Sequence, residues 1–134
     1  MELTQTKRDE LIELAIKARD YSYSPYSNYA VGAALLTESG KIYTGVNIEN
    51  SAYPTSICAE RVAIFKAVSE GERNFTAIAI ATENGGSPCG SCRQVMSEFA
   101  LQMQVIVVDD IGHIHIDSTV DGLLPHAFTP EDLI

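Results

Sequence analysis

Two short apolar runs constrain this chain more than any other feature. Phe75–Ala81 (FTAIAIA) and Gln104–Val108 (QVIVV) hold almost no polar positions. A strand of that kind cannot leave either face to water, so a layer of structure must cover each side of its sheet. The flanking patterns supply those layers. Leu11, Leu14, Ala15 and Ala18 recur at helical spacing behind a predicted N-cap at Thr6, with Asp9 and Glu10 in the first turn. A strand over 29–36 turns at Glu38-Ser39-Gly40 and returns over 41–46 as a hairpin. A second helix opens at Cys58 and stops at Gly71, and a third runs from 89 or 90 to about 100. The stretch Asp109-Asp110-Ile111-Gly112 is too short for a crossover, so the strand predicted over 113–117 pairs antiparallel with Gln104–Val108. A short helix over 120–124 follows. The order α-β-β-α-β-α-β-β-α predicts an α/β fold: a three-layer α/β/α sandwich on a mixed five-stranded sheet.

At 134 residues the chain is read as one domain, 1–134, able to bury a core without disulfides. Nine Lys and Arg stand against eighteen Asp and Glu, a net charge of −9. Binding to a nucleic acid polymer or an anionic membrane needs clustered cations, which are absent. The first residues lack the basic and apolar regions of a secretion signal, and no apolar run approaches the roughly 18 residues of a membrane span. A soluble, cytoplasmic protein is expected. Thiols stay reduced there, and cysteines serve more often as ligands or catalysts than as cross-links.

There are three cysteines, all where a loop enters a predicted helix: Cys58 in Cys58-Ala59-Glu60, and Cys89 and Cys92 in Pro88-Cys89-Gly90-Ser91-Cys92. Free N–H groups and the helix dipole favour thiolate there. Cys89 and Cys92 are one helical turn apart, so their sulfurs face the same way. A third sulfur from the other helix makes a tripod, and three ligands with one open position is the pattern of a catalytic zinc site. A lone Cys-x-x-Cys also fits a redox dithiol, although that role has no use for Cys58 or Glu60. Glu60 suits proton transfer beside an activated water, and equally suits the first turn of any helix. Asn47 and Glu49, on an irregular segment, suit either sugar hydroxyls or turn stabilisation. Tyr29 and Phe128 by themselves read as core or edge aromatics. His113 and His115 read as polar positions on an edge strand.

Cys-x-Glu followed by Pro-Cys-x-x-Cys is the signature of zinc-dependent base deaminases. More narrowly, the chain resembles the small cytidine deaminase family of pyrimidine salvage. The resemblance runs through Pro25-Tyr26-Ser27-Asn28-Tyr29, Val31-Gly32-Ala33-Ala34, Gly45-Val46-Asn47-Ile48-Glu49-Asn50, Cys58-Ala59-Glu60-Arg61, Phe65-Lys66-Ala67-Val68-Ser69-Glu70-Gly71, Ser87-Pro88-Cys89-Gly90-Ser91-Cys92-Arg93-Gln94 and the tail from Leu123 to Leu133. It implies one Zn²⁺ per subunit on Cys58, Cys89 and Cys92. Water activated by the metal would attack C4 of cytosine, and Glu60 would carry protons from that water to N3 and to the departing ammonia. Asn47 and Glu49 would bind ribose hydroxyls. Tyr29 and Phe128 would pack around base and sugar, Tyr53 would join the substrate-binding set, and the Ala59 backbone would read the pyrimidine edge. The resemblance also implies a homotetramer with shared active sites, in which Phe128 could reach a neighbour's site.

Three thiolates on Zn²⁺ sum to −1, which weakens the metal as a Lewis acid. Arg61 is the expected compensation, with Gln94 and the two helix N-termini donating to sulfur. The chain departs from the family pattern at Tyr29, where Phe is commoner, at Val46, where Cys is common, and in a shorter loop over 83–87. Three rivals follow from the same motifs. A polynucleotide deaminase needs a basic groove; a blasticidin-type deaminase would share Cys58-Ala59-Glu60 and the Cys-x-x-Cys, while the Asn47/Glu49 pair and the tail with Phe128 favour free cytidine. A non-catalytic zinc or redox module has no need of Glu60.

Overall fold

The computed structural model describes residues 2–133. Strands β1 (Gly32–Thr37), β2 (Ile42–Val46), β3 (Phe75–Ala81), β4 (Gln104–Val108) and β5 (Ile114–Thr119) form one mixed sheet in the order β2-β1-β3-β4-β5. Helices α1 (Gln5–Ala18), α2 (Ala59–Ser69) and α3 (Gly90–Phe99) cover it, and a short α4 (Val120–Leu123) follows β5. β3 and β4 run parallel, with α3 in the connection between them; the other neighbours pair antiparallel, including β4 with β5.

The pleat divides the core. Ala33 and Leu35 of β1 join Ile78, Ile80, Val105 and Val107 beneath α2 and α3, where Ala63, Ile64, Ala67 and Met96 pack. Ala34 and Leu36 join Ala77, Ala79, Ala81, Ile106 and Val108 beneath α1, against Leu11 and Ala15. Each inner strand therefore feeds two cores, which is why its sequence is apolar throughout. Alanine and glycine dominate where helices approach closely. A Cβ on Gly32 would lie 2.1 Å from the Ala15 carbonyl oxygen, and one on Gly45 would lie 2.4 Å from the Ala59 carbonyl oxygen and 2.6 Å from the Ala63 amide. These two glycines press α1 and α2 directly onto the sheet, and α2 carries the candidate site at its first turn.

Three expected boundaries move. Thr4, rather than Thr6, caps α1, accepting from the Lys7 amide at 3.2 Å. Thr6 lies inside the helix, and Asp9 and Glu10 fall beyond its first turn. β1 begins at Gly32 because residues 29–31 are held by a side chain: Asn47 Nδ2 donates to the Tyr29 carbonyl at 2.8 Å, and the Val31 amide donates to Asn47 Oδ1 at 2.9 Å. The last strand covers Ile114–Thr119. His113 and His115 both face Asp109, at 3.4 and 3.0 Å, in the turn that joins β4 to β5. No described helix is long and apolar enough to cross a membrane.

Candidate active site

Cys58 and Cys89 are the N-cap residues of α2 and α3, each with extended backbone before the first helical turn. Their position gives both sulfurs a view of unpaired helix N–H groups. Cys92 follows one turn into α3 and is buried. The sulfur atoms of Cys58 and Cys89 are 3.9 Å apart, those of Cys89 and Cys92 3.4 Å, and all three lie within 4.8 Å of one another. Zinc–sulfur bonds of about 2.3 Å at tetrahedral angles place thiolates about 3.8 Å apart. The spacing therefore fits a zinc ion, and no disulfide ties the three together.

The electrostatics agree with a thiolate cluster. Arg61, the third residue of α2, donates from Nη2 to Cys58 Sγ at 3.4 Å. Its Nε is buried without a partner, a cationic donor left over beside the sulfurs. The Cys58 thiol is pulled down to about 5, first by its hydrogen bond with Cys92 and then by Arg61, against the opposing effect of burial. Cys92 moves up, through the same bond to Cys58 and through its own burial. The opposite shifts of these two thiols come from the hydrogen bond they share, and metal ligation by cysteine requires the thiolate form. Glu60 is 4% exposed. Burial pushes its carboxyl above the usual carboxylate range, the Cys58 charge adds to the rise, and the hydrogen bond made by its own backbone works against it. A carboxyl raised in this way is better suited to hold a proton than an ordinary exposed carboxylate.

A cavity of about 520 Å³ opens beside this cluster, a size suited to a small ligand. Cys58, Cys89, Glu60 and Arg61 line it, together with Tyr29, Asn47, Glu49 and Tyr53. It lies at the carboxyl end of β3, where Ile80 and Thr82 form part of its wall. The irregular segment bearing Asn47 and Glu49 is held by backbone bridges from Ile48 to Tyr23 and to Ile57. Tyr29 donates from its hydroxyl to Asn84 Oδ1 at 2.7 Å, so the extra oxygen at this position ties the 83–87 loop to the cavity wall. Tyr53 is 71% exposed at the rim, edge-on to Tyr26 with ring centroids 5.7 Å apart. Ala59, the first residue of α2, is fully buried and does not line this cavity.

Two expected site residues lie elsewhere in the chain. Gln94 donates from Nε2 to the Phe128 carbonyl at 2.9 Å and so holds the tail instead of a sulfur. Phe128 is 56% exposed and does not line this cavity. Sequence reasoning passed over Ser22, Ser27 and Asn84. Ser22 and Ser27 bond to Asn47 and Glu49 across more than twenty residues of chain, and Asn84 meets Tyr29 from a distant loop. Only the placement of Ser27 inside the Pro25-to-Tyr29 motif hinted at a role.

Comparison with known proteins places this arrangement. Residues 5–108 match the cytidine and deoxycytidylate deaminase zinc-binding region. A cytidine deaminase of Sporosarcina psychrophila is 52% identical over 128 residues, covering 93% of each chain. One of Halalkalibacterium halodurans is 46% identical, covering 94% of this chain and 97% of its own. The crystal structure of cytidine deaminase from Burkholderia pseudomallei superposes with a TM-score of 0.86 at 43% identity, covering 90% of this chain and 98% of the other. The chain belongs to the cytidine and deoxycytidylate deaminase family. Its zinc centre corresponds to the cluster of Cys58, Cys89 and Cys92, which is able to hold the ion.

Proposed function

We propose that this protein is a zinc-dependent hydrolase that converts free cytidine and 2'-deoxycytidine to uridine and 2'-deoxyuridine with release of ammonia, in pyrimidine salvage. The observation that carries this reading is the buried carboxyl of Glu60 next to three converging sulfurs, beside a cavity that Asn47 and Glu49 also line. Cys58, Cys89 and Cys92 hold the ion. Bound zinc supplies the Lewis acidity that activates water for attack at C4. Glu60 accepts a proton from that water, passes one to N3 and delivers one to the leaving amine, so C4 gains oxygen as its C–N bond breaks. The burial that raises Glu60 suits it to both halves of the cycle. Arg61 offsets the third thiolate. The Ala59 backbone reads the pyrimidine edge, Tyr29 packs on base and sugar, Asn47 and Glu49 bind sugar hydroxyls, and Tyr53 closes the rim.

We extend the reading to one domain over 1–134, a cytoplasmic location and a homotetramer. An exposed Phe128 outside its own chain's cavity supports a tail that completes a neighbouring site. Loss of cytidine absorbance, followed with and without a zinc chelator, tests the activity. Turnover that the chelator abolishes is expected; no turnover by zinc-loaded protein refutes it. Turnover of blasticidin or of cytosine in single-stranded DNA, in preference to cytidine, would move the protein to another branch.

A further inference from the structure

Asn47 and Glu49 face the cavity with their hydrogen-bonding capacity largely spent on the chain itself. Asn47 Oδ1 accepts from the Val31 amide at 2.9 Å and from Ser22 Oγ at 2.5 Å, and its Nδ2 donates to the Tyr29 carbonyl at 2.8 Å. A backbone N–H and a backbone C=O settle which way the amide points, and one N–H remains. Glu49 Oε1 accepts from the Tyr26 and Ser27 amides at 3.0 and 3.1 Å, and Oε2 accepts from the Ser27 hydroxyl. The Tyr29 amide donates to Ser27 Oγ at 3.1 Å, which leaves the single Ser27 hydroxyl hydrogen for Glu49.

We propose that Ser27 is a positioning residue of the sugar site, aiming Glu49 so that the pair reads the sugar by hydrogen-bond direction: a donor at Asn47 and an acceptor at Glu49. The inference rests on the nucleoside reading above. The sugar must accept at Asn47 and donate at Glu49. A hydroxyl satisfies Glu49, whereas a fluorine or a methoxy oxygen turns a lone pair toward a carboxylate. Three donors and no acceptor surround the carboxylate within the protein, and these bonds, led by the Ser27 hydroxyl, hold its pKa below the usual value.

Steady-state kinetics with cytidine and its 2'-, 3'- and 5'-deoxy analogues test the assignment on zinc-loaded protein. Ser27→Ala should raise KM for cytidine roughly tenfold with kcat within about twofold, because the lost bond acts on binding. The penalty should vanish for the one deoxy analogue that lacks the hydroxyl read by Glu49. The matching fluoro analogue should serve the wild type no better than that deoxy compound. Ser27→Thr, which keeps the hydroxyl, should restore KM. An equal penalty on every analogue, or a fall in kcat at unchanged KM, overturns the inference while leaving the deaminase reading intact. Absence of cytidine turnover by the wild type removes the nucleoside reading and the inference together.

Discussion

Replacing Arg61 by Ala removes the one cation in contact with the sulfur cluster. The Nη2 atom lies 3.4 Å from Cys58 Sγ, and Arg61 Nε is buried without a hydrogen-bond partner. At that separation the gross Coulomb attraction is about 5 kcal/mol for an effective dielectric constant near 20. Desolvation, side-chain ordering and solvent screening offset most of it, leaving about 1.5–3 kcal/mol for a hydrogen bond to a charged acceptor. That range corresponds to a loss of about 10–150-fold in zinc affinity, in line with the 10–100-fold typical of partners that support metal ligands from outside. Competition of the metal-free protein against a chromophoric chelator measures the affinity directly, and circular dichroism checks that the fold persists. Arg61→Lys should fall between, since it keeps the charge and loses the planar fork. In the metal-free protein the thiolate absorbance of Cys58 should also titrate above its value of about 5. Zinc affinity within twofold of wild type, with unchanged turnover, would refute the compensation argument.

Glu60→Gln keeps shape and burial but carries no proton; zinc content should persist while kcat falls by about 10²–10⁴, and a rate near wild type overturns its role. Gly45→Ala forces a methyl against the Ala59 carbonyl and the Ala63 amide, atoms that belong to helix backbone and cannot rotate away. Urea titration should show about 1–3 kcal/mol of lost stability, and a variant as stable as wild type would show that α2 is free to shift. Asp109 is held near 2, below its ordinary 3.8, chiefly by His115. A depressed acid stabilises the fold above its unfolded pKa and loses that effect as pH falls through the folded one. Asp109→Ala should therefore cost stability above pH about 4, with the gap to wild type closing between about 4 and 2; a constant gap across acid titration contradicts this.

Much of the fold was legible because hydrophobic period and loop length are local signals. Phe75–Ala81 and Gln104–Val108 occupy the strands their apolar runs implied, and the five-residue connection after Val108 makes β5 antiparallel. The cysteines were legible for the same reason, since helix N-caps leave a mark in sequence. What escaped were bonds between segments far apart in the chain. Nothing local reveals that the Asn47 side chain holds residues 29–31, or that Gln94 turns to the tail at Phe128. Thr6 and Thr4 offer the same capping hydroxyl, and the local pattern does not choose between them.

The charge of the cavity bears on a choice that the family leaves open, between a nucleoside and a nucleotide carrying a phosphate. Among the residues lining the cavity Arg61 is the one Lys or Arg, and its guanidinium is committed to Cys58. Glu49 and Glu60 line the same space, and three thiolates outweigh a divalent cation by one charge. A phosphate bound here would meet carboxylates and sulfurs with no free guanidinium or ammonium to hold it, although such groups are the usual partners of phosphate. The net charge of −9 adds a repulsive field around the entrance. The same acidity that argues against a polynucleotide backbone therefore also disfavours a nucleotide, and the charge of this cavity suits an uncharged nucleoside.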